Sequence, residues 1–153
     1  MSARRGFGDE TWSLAEAGDT AGLHRAAELL ERGGPSYDGH RARAFALAVD
    51  GAADDALAQL GEGWTADWPF PAAYAADTAR VRYLAGDDEG ALDALQPAVR
   101  GADRLDPAIA ELLARIAARE PRLRLRAARL ALAGGTPWQR LRNAAAAASA
   151  RDR

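Results

Sequence analysis

The stretch from Ala79 to Val99, A-R-V-R-Y-L-A-G-D-D-E-G-A-L-D-A-L-Q-P-A-V, decides the fold, because it contains a complete helix, turn and helix. Gly86 and Asp87 make a tight break, and Asp87 can cap the helix that comes after it. Ala91, Leu92 and Leu95 supply the small and large apolar positions with which two crossed helices pack. Pro97 removes a backbone donor inside the second helix and is expected to kink or shorten it.

The pattern recurs on both sides. Breaks fall at Gly18, Gly51, Gly86 and Glu120-Pro121, at spacings of 33, 35 and 34 residues. Ala56, Leu57 and Leu60 stand 35 residues before Ala91, Leu92 and Leu95. The first pair is closed by Gly33-Gly34-Pro35, a strong helix stop. The fourth opens at Asp106-Pro107 and places Ile109, Leu112, Leu113 and Ile116 on one helical face. Helix pairs are thus expected over about 9–33, 38–61, 71–101 and 106–133. Thr136-Pro137 opens a capping helix over 136–150, leaving a flexible start at 1–8 and a tail at 151–153. The segment G-E-G-W-T-A-D-W-P-F-P-A-A-Y, Gly61 to Tyr74, lacks helical periodicity and reads as an elaborated loop. The fold class expected is all-α, with one domain over 9–150.

Composition narrows the function. The 153 residues include no cysteine, which removes disulfides, thiolate metal sites and a cysteine nucleophile. No run approaches the length of a membrane span, so a cytoplasmic protein is expected. All 20 basic residues are arginine, which together with abundant alanine is the composition of a high-GC, actinobacterial-like genome. The net charge of −2 conceals an asymmetry. Residues 1–118 carry −9 and residues 119–153 carry +7.

The period, the Gly-Asp turn and the Ala91, Leu95 and Ala98 spacing make the chain similar to tetratricopeptide-repeat proteins over roughly residues 9–135. It departs from that pattern at Ala75 and Arg82, where large aromatics are usual; Tyr74 and Tyr83 stand beside them. An irregular α-solenoid, or the helical sensor region of large actinobacterial regulators, reads much the same. The resemblance implies a right-handed stack of about four helix-turn-helix pairs, with a concave groove lined by the first helix of each. Trp12, Arg41, Phe45, Ala76, Arg80 and Tyr83 would then face inward. Arg41 and Arg80 would grip a carboxylate, and Phe45 and Tyr83 would supply apolar contact.

Two further features are candidates. Trp64, Trp68, Phe70 and Tyr74 are read either as rings that tie down a long connection or as a recognition patch. Arg122, Arg126 and Arg129, with Arg115 and Arg119 before them, form a basic stripe able to meet phosphates, an acidic partner or the acidic half of another copy. No nucleic-acid-binding motif accompanies the stripe, and the net charge is slightly negative, so nucleic acid is disfavoured. Catalysis finds no motif around His24 and His40, and the acids Asp54, Asp55, Asp87, Asp88 and Glu89 sit where they oppose helix dipoles. The expectation is a non-enzymatic protein-interaction module with no cofactor and no metal, binding a peptide, helix or acidic partner. A regulatory domain binding an anionic ligand or nucleic acid through its basic C-terminal end, and an accessory subunit of an enzyme complex, stand as alternatives.

Overall fold

The computed structural model describes residues 3–67, 71–100, 105–134, 141 and 145, and these are all-helical, with no strand among them. Among the described residues up to Gly134, eight helices run in order: α1 Ala3–Glu16, α2 Thr20–Leu30, α3 Tyr37–Val49, α4 Ala53–Asp67, α5 Pro71–Leu84, α6 Asp88–Arg100, α7 Pro107–Arg119 and α8 Arg124–Ala133. A short 3-10 turn, Pro121–Leu123, precedes α8. The first helix starts earlier than the residue-9 boundary read from the sequence. The capping helix expected over 136–150 lies outside the described residues, apart from Leu141 and Ala145, which are helical and exposed.

Three of the four breaks are built alike. Gly18, Gly51 and Gly86 have φ of 69°, 83° and 86°, a left-handed backbone that glycine adopts without steric cost. Around each, two hydrogen bonds close the helix end. The N–H groups of Asp19, Ala52 and Asp87 donate to the carbonyls of Leu14, Leu47 and Arg82 at 2.8–2.9 Å. Those of Gly18, Gly51 and Gly86 donate to Ala15, Ala48 and Tyr83 at 3.0–3.1 Å. This paired bonding is the Schellman ending, and it satisfies carbonyls that a helix terminus would otherwise leave bare. The fourth break has no glycine. Glu120 is extended at φ −124°, its N–H donates to Ile116, and the chain winds directly into the 3-10 turn.

The change of turn alters the register of α8. Thr11, Ala44, Ala79 and Leu113 occupy equivalent positions in α1, α3, α5 and α7, and all four are buried. In the second helices, Leu23 and Ala27, Ala56 and Leu60, and Ala91 and Leu95 are likewise equivalent and buried. The positions 34 residues further on, Leu125 and Arg129, are exposed instead. In α8 it is Ala127, Leu130 and Ala131 that turn inward.

Two readings of local structure are corrected. The segment from Gly61 to Asp67 is the end of α4 and not a loop, so Trp64 and Tyr74 both stand on helices. A Cβ at Gly63 would lie 2.6 Å from the Cβ of His40, so this glycine lets α4 approach α3 closely and does not break the helix. Pro97 does not shorten α6, which continues to Arg100. Pro97 and Asp93, whose carbonyl loses its donor, are both exposed to water, while Leu92, Leu95, Ala98 and Val99 are buried on the helix's other side.

The helices gather into two compact units. One comprises residues 1–70 with Arg80–Asp87, and the other Pro71–Ala79 with residues 88–153. In the first, α1 packs on α2 and α3, α2 on α3, and α3 on α4. Phe45, Leu23 and Leu60 are fully buried there, and the C-terminal end of α2 is tied to the middle of α3 by Arg43, which donates to Glu31 at 2.9 Å. In the second, α6, α7 and α8 pack on one another around Leu92, Leu95, Val99, Leu113 and Ile116. No helix of the described residues is long and apolar enough to cross a membrane.

Candidate partner-binding site

Helical register brings together side chains that are far apart in the chain. Trp12, Phe45 and Arg80 are separated by 33 and then 35 residues, the same steps that separate the turn glycines. In the first unit they meet. The rings of Trp12 and Phe45 lie edge to face with centroids 5.7 Å apart, a favourable aromatic geometry. The Arg80 guanidinium stands over the Trp12 ring at 5.1 Å. Tyr83, one turn beyond Arg80, has its ring 6.2 Å from Trp12.

Burial separates the roles of these residues. Phe45 is 0% exposed, so it has no surface to offer a partner and instead supports Trp12 from below. That corrects the expectation that Phe45 supplies apolar contact in a groove: the space in front of it is filled by the indole. Trp12 itself is 9% exposed. Arg80 and Tyr83 are half-buried, and they carry the accessible part of the cluster. A guanidinium stacked on an aromatic face engages the ring through its π face, which holds the cation in one place beside the indole.

Arg41 lies one turn before Phe45 on α3, with its side chain 12% exposed and 3.5 Å from the Asp38 carboxylate. It therefore already faces an internal anion. Ala76 is half-buried in the other unit. Trp64 is half-buried on α4. Trp68 and Phe70 lie outside the described residues.

The basic stripe is split by the fourth turn. Arg122 belongs to the 3-10 turn, not to α8, and reaches Glu120 at 3.3 Å while remaining 76% exposed. Arg126 turns towards α6, pairing with Asp93 and lying 3.6 Å from Glu89. Arg119 donates to Asp88 at 2.9 Å, and Arg115 to Glu111 at 2.5 Å. Arg129 is exposed. The acids at the start of α6, read from the sequence as dipole partners, thus also neutralise cations of α7 and α8. The pairs Arg119–Asp88 and Arg126–Asp93 join residues 31 and 33 positions apart and carry no local sequence signal.

On α3, His40 Nδ1 lies 2.5 Å from Gln59 Nε2 of α4, and His24 is exposed. Among the described residues no group of three or more histidines or carboxylates gathers into a set able to hold a metal ion. What the first unit offers chemically is a supported cation beside aromatic rings. No protein-family model, no curated protein and no solved structure matches the chain.

Proposed function

We propose that the chain is a non-enzymatic protein-interaction module, a right-handed, tetratricopeptide-like stack of helix pairs that holds an acidic peptide or helix of a partner protein. The observation that carries this reading is the Arg80 guanidinium seated 5.1 Å from the Trp12 ring, with Tyr83 adjoining. A long arginine side chain ordinarily loses rotamer freedom on binding, at about 0.5–1.5 kcal/mol for each side chain immobilised. Stacking on Trp12 restricts Arg80 beforehand, so less remains to be lost when a carboxylate arrives. Tyr83 adds an amphipathic ring of the kind enriched where partners bind. Three like-built turns at repeat spacing support the stack, and their first helices supply every member of the cluster.

Affinity capture from the native host tests the reading, comparing the wild type with Arg80→Glu at equal helicity by circular dichroism. Charge reversal is expected to lose at least tenfold of the captured partner. Retention of every wild-type partner by the folded variant overturns the proposal.

A further inference from the structure

Two apolar surfaces share no residue with the cluster around Trp12. The first is a cleft of about 280 Å³ on the seam of α1 and α2, lined by Leu14, Ala26 and Leu29 together with Glu10, Asp19 and Arg25. Every lining residue comes from α1, α2 or the turn between them. Leu29 is 48% exposed. The Asp19 carboxylate is fixed in place by accepting the Gly22 N–H at 2.8 Å.

The second is the outer face of α8. Leu125 and Leu132 are 62% and 41% exposed; a single exposed leucine is ordinary, but two on one helix face form an apolar patch. Their spacing of seven residues puts them on one side of the helix, roughly 10 Å apart along its axis. That side is opposite Ala127, Leu130 and Ala131, which face the unit's core. Arg129 is exposed on the same side, Arg122 is exposed just before the helix, and Arg126 is turned away to the α6 carboxylates.

We propose that these surfaces are the two halves of one interface, through which the chain associates head to tail with a second copy of itself. Leu125 and Leu132 of one copy seat in the α1–α2 cleft of the next. Charge supports a second copy as the occupant. The ridge is flanked by Arg122 and Arg129 and lies in a segment of net charge +7, while the cleft bears Glu10 and Asp19 within a segment of net charge −9. Arg25 is the one opposing charge at the cleft. A nucleic acid would meet the arginines but leave both leucines in water, whereas the cleft supplies both apolar cover and carboxylates. Because the two surfaces differ, the contact is heterologous, and copies add in series until a ring closes or the supply of chain ends. Neither surface includes Arg41, Arg80 or Tyr83, so the proposal stands or falls apart from the partner-binding reading.

Sedimentation of the full chain over a concentration series, at low and high salt, tests it with two blocked variants. Leu125→Asp with Leu132→Asp removes the ridge, and Leu29→Arg puts a repelling cation in the cleft. All three leucines are exposed, and circular dichroism checks that helicity is kept. The wild type is expected to grow in mass with concentration and to shrink as salt rises. Each blocked variant alone should sediment as a monomer, and an equimolar mixture of the two should give a species of twice the monomer mass, since one free ridge meets one free cleft. A wild type that remains monomeric throughout overturns the proposal and leaves the two surfaces to a different molecule. So do blocked variants that associate as the wild type does, or a mixture that never exceeds monomer mass while the wild type assembles.

Discussion

In the unit around α1 to α4, the first helices meet through rings, Trp12 on Phe45 and Tyr83, and α4 comes so close to α3 that only a glycine fits opposite His40. In the unit around α6 to α8, the interior is leucine, isoleucine and valine, and the helices are joined at the surface by Arg119 and Arg126 on the carboxylates of α6. The first unit also has a cross-helix ion pair, Arg43 on Glu31, so the two units differ in the rings that the first adds and that the second, among its described residues, lacks in its leucine, isoleucine and valine interior. Aromatic packing is short-ranged, dry and indifferent to salt. Exposed ion pairs are weak singly and screened by salt. The difference places most of the specificity of the first unit in its interior and leaves the second unit's surface adjustable by ionic conditions.

Truncating the central ring should have the largest effect. Phe45→Ala deletes a fully buried side chain that supports Trp12, and denaturant titration should register a loss of about 3–5 kcal/mol. A loss under about 1 kcal/mol would mean that the rings are not the first unit's core.

The turns come next. Gly51→Ala forces a Cβ into φ of 83°, a conformation that costs L-residues roughly 1–2 kcal/mol, partly offset by a stiffer unfolded chain. The net expectation is a destabilisation of about 1 kcal/mol, against a change within about 0.5 kcal/mol for Glu120→Ala at the extended fourth turn. Equal effects at the two turns would erase the distinction between them.

Smallest is the surface pairing. Arg126→Gln removes a cation whose side chain is 35% exposed and whose partner Asp93 is 64% exposed. The cost should be below about 1 kcal/mol at low salt and should vanish at high salt. A larger, salt-independent loss would make this pair part of the second unit's core.

The range of each signal decides how much of the fold was legible in the sequence. The Schellman turns were legible because a glycine required at positive φ leaves a mark at one position, and three such marks recur at 33 and 35 residues. The aliphatic face of α7 was legible for the same reason, since Ile109, Leu112, Leu113 and Ile116 announce a helix within two turns. The helical end of α4 was hidden because the segment from Gly61 lacks helical periodicity, and it is the His40 side chain opposite Gly63 that shows two helices in close contact there. The register of α8 was hidden because the fourth break substitutes a 3-10 turn for a glycine, which rotates Leu125 outward. The site was partly legible. Arg80 and Tyr83 were placed with Trp12 on inward faces by turn position. That Trp12 fills the space before Phe45 depends on ring size and packing, which the spacing does not encode.

The most direct measurement is a double-mutant cycle on Trp12 and Arg80, which lie 68 residues apart in the chain and meet across α1 and α5. Trp12→Leu, Arg80→Met and the double variant are compared by denaturant titration. A guanidinium held over the indole at 5.1 Å predicts a coupling of about 0.5–2 kcal/mol between the two substitutions. Additivity within about 0.3 kcal/mol would contradict it, because residues without a shared contact do not feel each other's loss.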